Sequence, residues 1–214
     1  QRDPIGQKKV WNKANKKIIC VYKDNWGFKI LAYDINQKSW QQMSDYSNSL
    51  VTPNRQFDVT YDEQNQQIIV VNHSGSSIYP YSYKYDTDTW TLLDSGGYSS
   101  GGSVQLLNTV YDSVNDLVII FHYTPSSNQL VTLSYDPNNN TYYYTGTTIQ
   151  STIHADLAFD SSEGKIYYVT QLQNQDLYLM SYEVNNSNLI TGPEFILDYN
   201  LMDASSSGIN NNIR

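Results

Sequence analysis

A short phrase that couples an aromatic residue to an aspartate recurs along this chain of 214 residues at intervals of 48 to 50 residues. In each unit the aspartate stands six residues before an apolar strand residue. In the first unit an aromatic residue is followed by asparagine in place of aspartate. The pairs are Trp11-Asn12, Tyr61-Asp62, Tyr111-Asp112 and Phe159-Asp160. A repeat of this length indicates a propeller, a solenoid or an array.

A second phrase recurs in the same order and with a similar period. It consists of an aromatic anchor and a turn rich in Asp and Asn, with anchors at Tyr33, Tyr85, Tyr135 and Tyr182. Apolar residues alternate before these anchors with the period of two that is typical of strands. Each unit therefore predicts about four short antiparallel strands, and the helix content is expected to be very low. Stacking such sheets radially buries faces that one sheet cannot bury alone.

The pattern Y-D-x-x-x-x-x-W at Tyr33 to Trp40, and its shortened form at Tyr85 to Trp90, follow an apolar strand some fifteen residues upstream. These features resemble kelch-type β-propeller repeats over about residues 5 to 190, although the paired glycines usual in kelch repeats are absent. The resemblance implies an all-β propeller of four-stranded antiparallel blades. It also implies, most often, a non-catalytic module that binds protein or glycan through loops on one face.

The repeat predicts a single β-propeller domain over residues 1–214, with about four blades. The units are expected at roughly 5–50, 51–102, 103–150 and 151–192. Residues 193–214 are expected to form a closing strand and tail, with the apolar run Phe195 to Leu197 pairing with the first unit. The alternative is a fragment of a larger propeller.

The net charge of −8 is unevenly distributed, because residues 1–29 carry +6 and the remainder carries −14. An acidic body repels phosphate backbones and argues against nucleic acid as the main partner. The basic start could dock on an acidic neighbour such as another copy, or its lysines could simply be solvated residues flanking a strand. No apolar run is long enough to span a membrane as a helix. The low charge and the many hydroxyl and amide side chains favour an extracellular or cell-surface location.

The recurring aspartates are interpreted as structural, because a catalytic pair needs two different environments and equivalent positions do not supply them. The histidines His73, His122 and His154 occupy non-equivalent positions without metal-ligand spacing. The turns rich in Asp and Asn favour turn chemistry over calcium binding. Cys20 reads as a small hydrophobe within a strand. We therefore expect no catalytic residue, no metal and no cofactor.

Two further kinds of candidate site remain. The segment Asp94 to Ser103 reads as a long connection between units, and within it Tyr98 is the candidate for contact with a sugar ring or a partner protein, although a mobile linker is the alternative. Sequons for N-glycosylation occur at Asn72, Asn139 and Asn185.

Three functional classes are compatible with these features. The first is a non-catalytic propeller that binds protein or glycan. The second is a structural subunit of an extracellular fibre or coat, assembled head to tail into an oligomer or filament. The third is a glycan-active enzyme on a propeller scaffold, since one fold supports many functions.

Overall fold

The computed structural model describes residues 6–52, 55–146, 152–172 and 177–199, and all regular structure in these ranges is β-strand. Four consecutive stretches of chain each form a four-stranded antiparallel sheet with strands in sequence order. Sheet I contains β1 (Gln7–Asn12), β2 (Lys17–Lys23), β3 (Phe28–Asp34) and β4 (Ser39–Gln42). Sheet II contains β5 (Phe57–Asp62), β6 (Gln67–Ser74), β7 (Ser77–Lys84) and β8 (Thr89–Leu92), and the short β9 (Tyr98–Ser99) also pairs with β7.

The other two sheets follow the same plan. Sheet III contains β10 (Leu106–Asp112), β11 (Leu117–Thr124), β12 (Gln129–Asp136) and β13 (Thr141–Gly146). Sheet IV contains β14 (Thr152–Asp160), β15 (Lys165–Leu172), β16 (Leu177–Val184) and β17 (Ile190–Tyr199). In sheets II to IV the first strand ends at the repeated aspartate, and in sheet I it ends at Asn12. The second strand is the apolar run in every unit, as the sequence predicts. The second phrase lies at the end of the third strand, but its anchor in sheet II is Tyr83 and not the expected Tyr85, because Tyr83 pairs with Ile68 as Tyr33 pairs with Ile18.

The first hairpin of every sheet turns through four residues, and the last of the four adopts left-handed backbone. This residue is Lys16 in sheet I, Gln66 in sheet II and Asp116 in sheet III, with φ between 51° and 57°. Sheet IV has Gly164 at the equivalent position, with φ 67°. Left-handed backbone is costly for a residue with a Cβ and free for glycine. Three of the four turns therefore hold a strained residue at this position, and the fourth holds an unstrained glycine.

Replacing the exposed Gln66 with glycine is expected to raise the free energy of unfolding by about 0.5–1 kcal/mol, because the strain at φ 51° disappears. Urea unfolding of both proteins measures the change. The control is Gln64→Gly in the same turn, where φ is not positive and the added backbone freedom should only destabilise. Equal effects of the two substitutions would contradict the assignment of strain to Gln66.

Neighbouring sheets pack face to face and bury apolar side chains between them in three clusters. Between sheets I and II, the Phe28 ring stacks on Trp90 at 5.7 Å and meets the edge of Tyr81 at 5.6 Å. Between sheets III and IV, the Phe121 ring meets Tyr182 at 5.0 Å. The core thus lies between the sheets, so that sheets II and III are covered on both faces.

The first strands lie innermost and side by side, since β5 contacts β1 and β10, and β10 contacts β14. Among the described residues, no strand of sheet I contacts a strand of sheet IV as extensively as neighbouring first strands contact one another. Sheets I and IV therefore each keep one face that no other sheet of the described chain covers.

One sequence expectation is wrong for residues 193–199. These residues belong to β17, which pairs with β16 from Val184↔Ile190 to Leu177↔Tyr199 and forms the fourth strand of sheet IV. They do not close on the first unit, because the open edge of β16 offers backbone groups that need partners. Residues 200–214, the rest of the expected tail, lie outside the described residues.

Candidate ligand-binding site at the axis

A depression of about 350 Å³ opens where the innermost strands β1, β5, β10 and β14 end. All four sheets contribute to it, and they do so through equivalent positions of the repeat. Its volume lies in the range of small-molecule sites. The repeated phrase therefore converges on one place in the folded chain.

The walls of this axial pocket are the aromatic residues of the first phrase. They are Trp11, Tyr61, Tyr111 and Phe159, one from each sheet. Trp11 remains 44% exposed, whereas Tyr61 and Tyr111 are almost fully buried. The Tyr111 hydroxyl donates to Asp116 Oδ1 at 2.5 Å, which holds the ring in place. The pocket thus combines one accessible indole with fixed rings around it.

The rim comes from the turn residues directly after the repeated Asn or Asp. These are Lys13, Glu63, Ser113 and Ser161. Lys13 Nζ lies 3.0 Å from Glu63 Oε2, and both side chains are exposed. An exposed ion pair contributes little to stability, so its two charged groups can exchange partners at low cost. The rim therefore offers a cation, a carboxylate and hydroxyl groups at the mouth of a pocket with aromatic walls.

Sequence reasoning did not single out these rim residues. A signal was nonetheless present, because the slot directly after the repeated Asn or Asp holds a polar residue in all four units, namely Lys, Glu, Ser and Ser.

Asp58, which stands on β5 two residues before the pocket residue Thr60, ties three sheets together. Its Oδ1 lies 3.0 Å from Lys8 Nζ of sheet I, and its Oδ2 accepts from the Thr109 N–H of sheet III at 2.7 Å. Burial raises the pKa of the Asp58 carboxyl, while the ammonium of Lys8 and the N–H of Thr109 act in the opposite direction. This carboxylate fixes the spacing of the innermost strands below the site.

The repeated carboxylates themselves are occupied in holding turns. Asp62 Oδ1 accepts from Asn65 N at 2.9 Å, and Asp160 Oδ1 accepts from Ser162 N at 2.8 Å. Asp112 accepts from two backbone N–H groups of its own turn. Each of these aspartates therefore accepts hydrogen bonds from the backbone of its own turn. Their turns are what present the rim residues to the pocket.

Tyr98 lies away from the axial pocket. It is half-buried on β9, and its ring contacts Tyr142 at 5.5 Å and Tyr144 at 6.3 Å, both on the outermost strand of sheet III. In the same segment Ser100 Oγ lies 2.8 Å from Ser76 O and 2.7 Å from Gly102 O. The segment is therefore fastened to sheets II and III, and Tyr98 does not join the residues at the axis.

The three sequons differ sharply in accessibility. Asn72 is fully buried, where its Nδ2 donates to Leu50 O at 3.0 Å and its Oδ1 accepts from Lys23 Nζ at 3.0 Å. The structure therefore removes Asn72 from the candidate acceptors of a glycan on the folded protein. Asn139 and Asn185 are exposed in turns and remain predicted acceptors.

The described residues contain no group of three or more His, Cys, Asp or Glu side chains arranged to hold a metal ion. His73 and His122 lie buried between sheets II and III, and the side chain of His154 is outside the described part of the chain. Cys20 is buried in β2, as its interpretation as a small hydrophobe predicts, and burial raises the pKa of its thiol.

Solved structures with the same architecture include two lectins and a nutrient-binding protein. SapL1 lectin in complex with alpha methyl fucoside has a TM-score of 0.66 at 10% identity, over 91% of this chain and 63% of that one. The fucose-specific lectin from Aleuria aurantia has a TM-score of 0.58 at 16% identity, over 90% and 60%. The fold is a β-propeller with four-stranded antiparallel blades. The four sheets described above are its blades, and the predicted fold class is confirmed.

The third structure is an auxiliary nutrient binding protein from Bacteroides thetaiotaomicron, with a TM-score of 0.60 at 14% identity over 90% of this chain and 42% of that one. The chain thus spans between 42% and 63% of the length of these three structures. No family model matches the sequence, and no curated protein matches it significantly. The described ranges include no helical segment capable of spanning a membrane.

Proposed function

We propose that this protein is a non-catalytic, extracellular propeller module that binds glycans in the axial pocket. The observation that carries the proposal is the convergence of one aromatic residue and one polar turn residue from every sheet on a single depression of about 350 Å³. Aromatic walls with a few placed polar groups are typical of small-molecule sites. The exposed Trp11 indole suits the apolar face of a sugar ring, and the rim suits its hydroxyl groups.

Two comparisons support a glycan as the ligand. The two lectins share the blade architecture, and one of them holds alpha methyl fucoside. The kelch-like repeat pattern favours binding through loops at one face of the propeller. A neutral sugar also suits the rim, because Lys13 and Glu63 place both a donor and an acceptor there without a net charge.

The non-catalytic part of the proposal is supported by how the carboxylates are used. Asp62 and Asp112 are fully buried beneath their turns and bound to backbone N–H groups. Glu63 is the remaining carboxylate at the pocket, and a single carboxylate does not supply the acid and base pair of glycoside hydrolysis.

Replacing Trp11 with alanine is expected to weaken glycan binding by about tenfold or more, because a stacked aromatic side chain carries much of the energy of such a contact. A panel of methyl glycosides that includes alpha methyl fucoside is titrated calorimetrically against both proteins. Lys13→Ala should weaken binding by a smaller factor through the loss of a hydrogen bond.

The matched control is Trp26→Ala, since Trp26 is exposed in the turn between β2 and β3 and does not line the pocket. This variant should bind as the parent protein does. Absence of glycan binding by the parent, or equal loss in the Trp11 and Trp26 variants, would contradict the proposed function.

A further inference from the structure

Comparison of the repeats shows that one face of sheet I is uncovered, whereas the equivalent face of each other sheet is buried. On the second strand, the residues that point toward the preceding sheet are Ile68 in sheet II, Val118 in sheet III and Ile166 in sheet IV, and all three are fully buried. Their equivalent in sheet I is Ile18, which is half-buried. Nothing in the described chain precedes sheet I to cover this position.

The outer strands of sheet I repeat the pattern. Tyr83 and Tyr135 on the third strands are fully buried, whereas their equivalent Tyr33 is only half-buried. On the fourth strand, Trp40 lies against Tyr33 at 5.0 Å and is 57% exposed. Sheet I therefore carries an uncovered apolar face of the kind that sheets II to IV bury against a neighbour.

Sheet IV has the complementary face uncovered. The second-strand residues that point toward the following sheet are Val21, Val71 and Phe121 in sheets I to III, and all are fully buried. The equivalent in sheet IV is Val169, which is 41% exposed. Ile196 on β17, the outermost strand of the same sheet, is also exposed. The described residues thus leave uncovered one face of sheet I and one face of sheet IV, and these are the two halves of an interface that the described sheets make three times among themselves.

These two ends carry opposite charge. Residues 7–42, which make sheet I, contain eight lysines and two aspartates, a net charge of +6. Residues 152–199, which make sheet IV, contain one lysine and seven acidic residues, a net charge of −6. Opposite potentials accelerate association and disfavour the pairing of like ends. Pairing of I with IV is favoured, and pairing of I with I or IV with IV is opposed.

We propose that sheet I of one copy packs against sheet IV of a second copy of this chain, continuing the propeller stacking from molecule to molecule. The contact is heterologous, so that it closes into a ring or extends into an open chain according to its rotation. It is separate from glycan binding, because the surfaces centred on Trp40 and Val169 do not line the axial pocket.

The test uses two single variants, Trp40→Asp on sheet I and Val169→Asp on sheet IV, in sedimentation velocity across a concentration series. A buried, unpaired carboxylate is costly in an apolar interface, so each variant alone should be monomeric, with self-association weakened by about thirtyfold or more. Their mixture contains one intact pairing, sheet I of the Val169→Asp protein with sheet IV of the Trp40→Asp protein. The mixture should therefore form a dimer and nothing larger.

Trp26→Asp is the matched control, because Trp26 is exposed but lies off both faces, and it should associate as the parent does. Circular dichroism and thermal unfolding check that each variant is folded. A monomeric parent, an associating Trp40→Asp protein, or a mixture that stays monomeric would each overturn the proposal. An associating Trp40→Asp protein would indicate that each face pairs with its own kind.

Discussion

Replacing Asp112 with alanine is expected to lower the free energy of unfolding by about 3 kcal/mol, through the loss of three hydrogen bonds to a buried carboxylate. Asp112 Oδ1 accepts from Val114 N at 2.9 Å and Asn115 N at 3.0 Å, and Oδ2 accepts from Asn115 Nδ2 at 2.7 Å. The side chain is fully buried, so water cannot replace these contacts without opening the sheet. Urea unfolding measures the loss.

Two variants separate the turn-holding role from a general effect of substitution. Asp112→Asn keeps one acceptor oxygen for the backbone N–H groups and should lose about 1 kcal/mol. Asp160→Ala removes the equivalent carboxylate of sheet IV, where the side chain is only half-buried, and should also cost less. The structural role would be refuted if the alanine variant of Asp112 were as stable as the parent.

The same substitution connects fold to function. Ser113 lines the axial pocket and is positioned by the turn that Asp112 holds. We therefore expect Asp112→Ala to weaken glycan binding by disordering part of the rim, whereas Ser113→Ala should weaken binding without lowering the free energy of unfolding.

The sequence predicted the sheets because their signals are local. Strand boundaries follow from alternation, and turns follow from Asx residues such as Asp34, whose Oδ1 accepts from Asn36 N and Gln37 N. Because these patterns recur in four units, a misleading pattern in one unit can be recognised by comparison with the other three. The order of strands in each sheet follows directly from hairpin connections.

The site was harder to predict, since it depends on which strand ends meet at the axis. Spacing along the chain does not show that Lys13 and Glu63, fifty residues apart, approach within 3.0 Å. Tyr98 stood out because its segment is unusual in composition, yet that segment fastens two sheets at their outer edge. Asn72 matched a sequon, but its place in a strand with both faces covered is a tertiary property. The course of β17 was missed because the sequence does not say which free edge a single apolar run will join.

Two buried histidines give sheets II and III an interface that should weaken in acid. His73 and His122 are fully buried. The His73 Nε2 atom lies 3.4 Å from Val104 N, and the His122 Nδ1 atom lies 3.4 Å from Thr124 Oγ1. The other nitrogen of the His122 ring has no hydrogen-bond partner among the described residues. Both rings are therefore suited to the neutral state.

Burial lowers the pKa of His122 to about 4, and the nearby His73 adds to the effect. Burial also lowers the pKa of His73, with the cations Arg55 and Lys23 acting in the same direction and the backbone groups of Gly102 and Gly75 acting against it. In the unfolded chain a histidine takes up its proton near pH 6.5, so below that value the unfolded state binds more protons than the folded state. The stabilisation is complete above pH 6.5 and is lost as the pH falls toward 4.

For His122 alone the shift corresponds to about 3 kcal/mol of stability lost across that window. Denaturant unfolding measured at intervals from pH 7 to pH 4 should show this decline. His122→Gln removes one of the two titrating imidazoles and should make the curve shallower between pH 6.5 and about 4.5, even if it shifts the whole curve downward. The difference between the two slopes isolates His122, because His73 and the carboxyl groups, including Asp58 with its raised pKa, contribute to both proteins. An unchanged slope in the glutamine variant would place the acid sensitivity elsewhere.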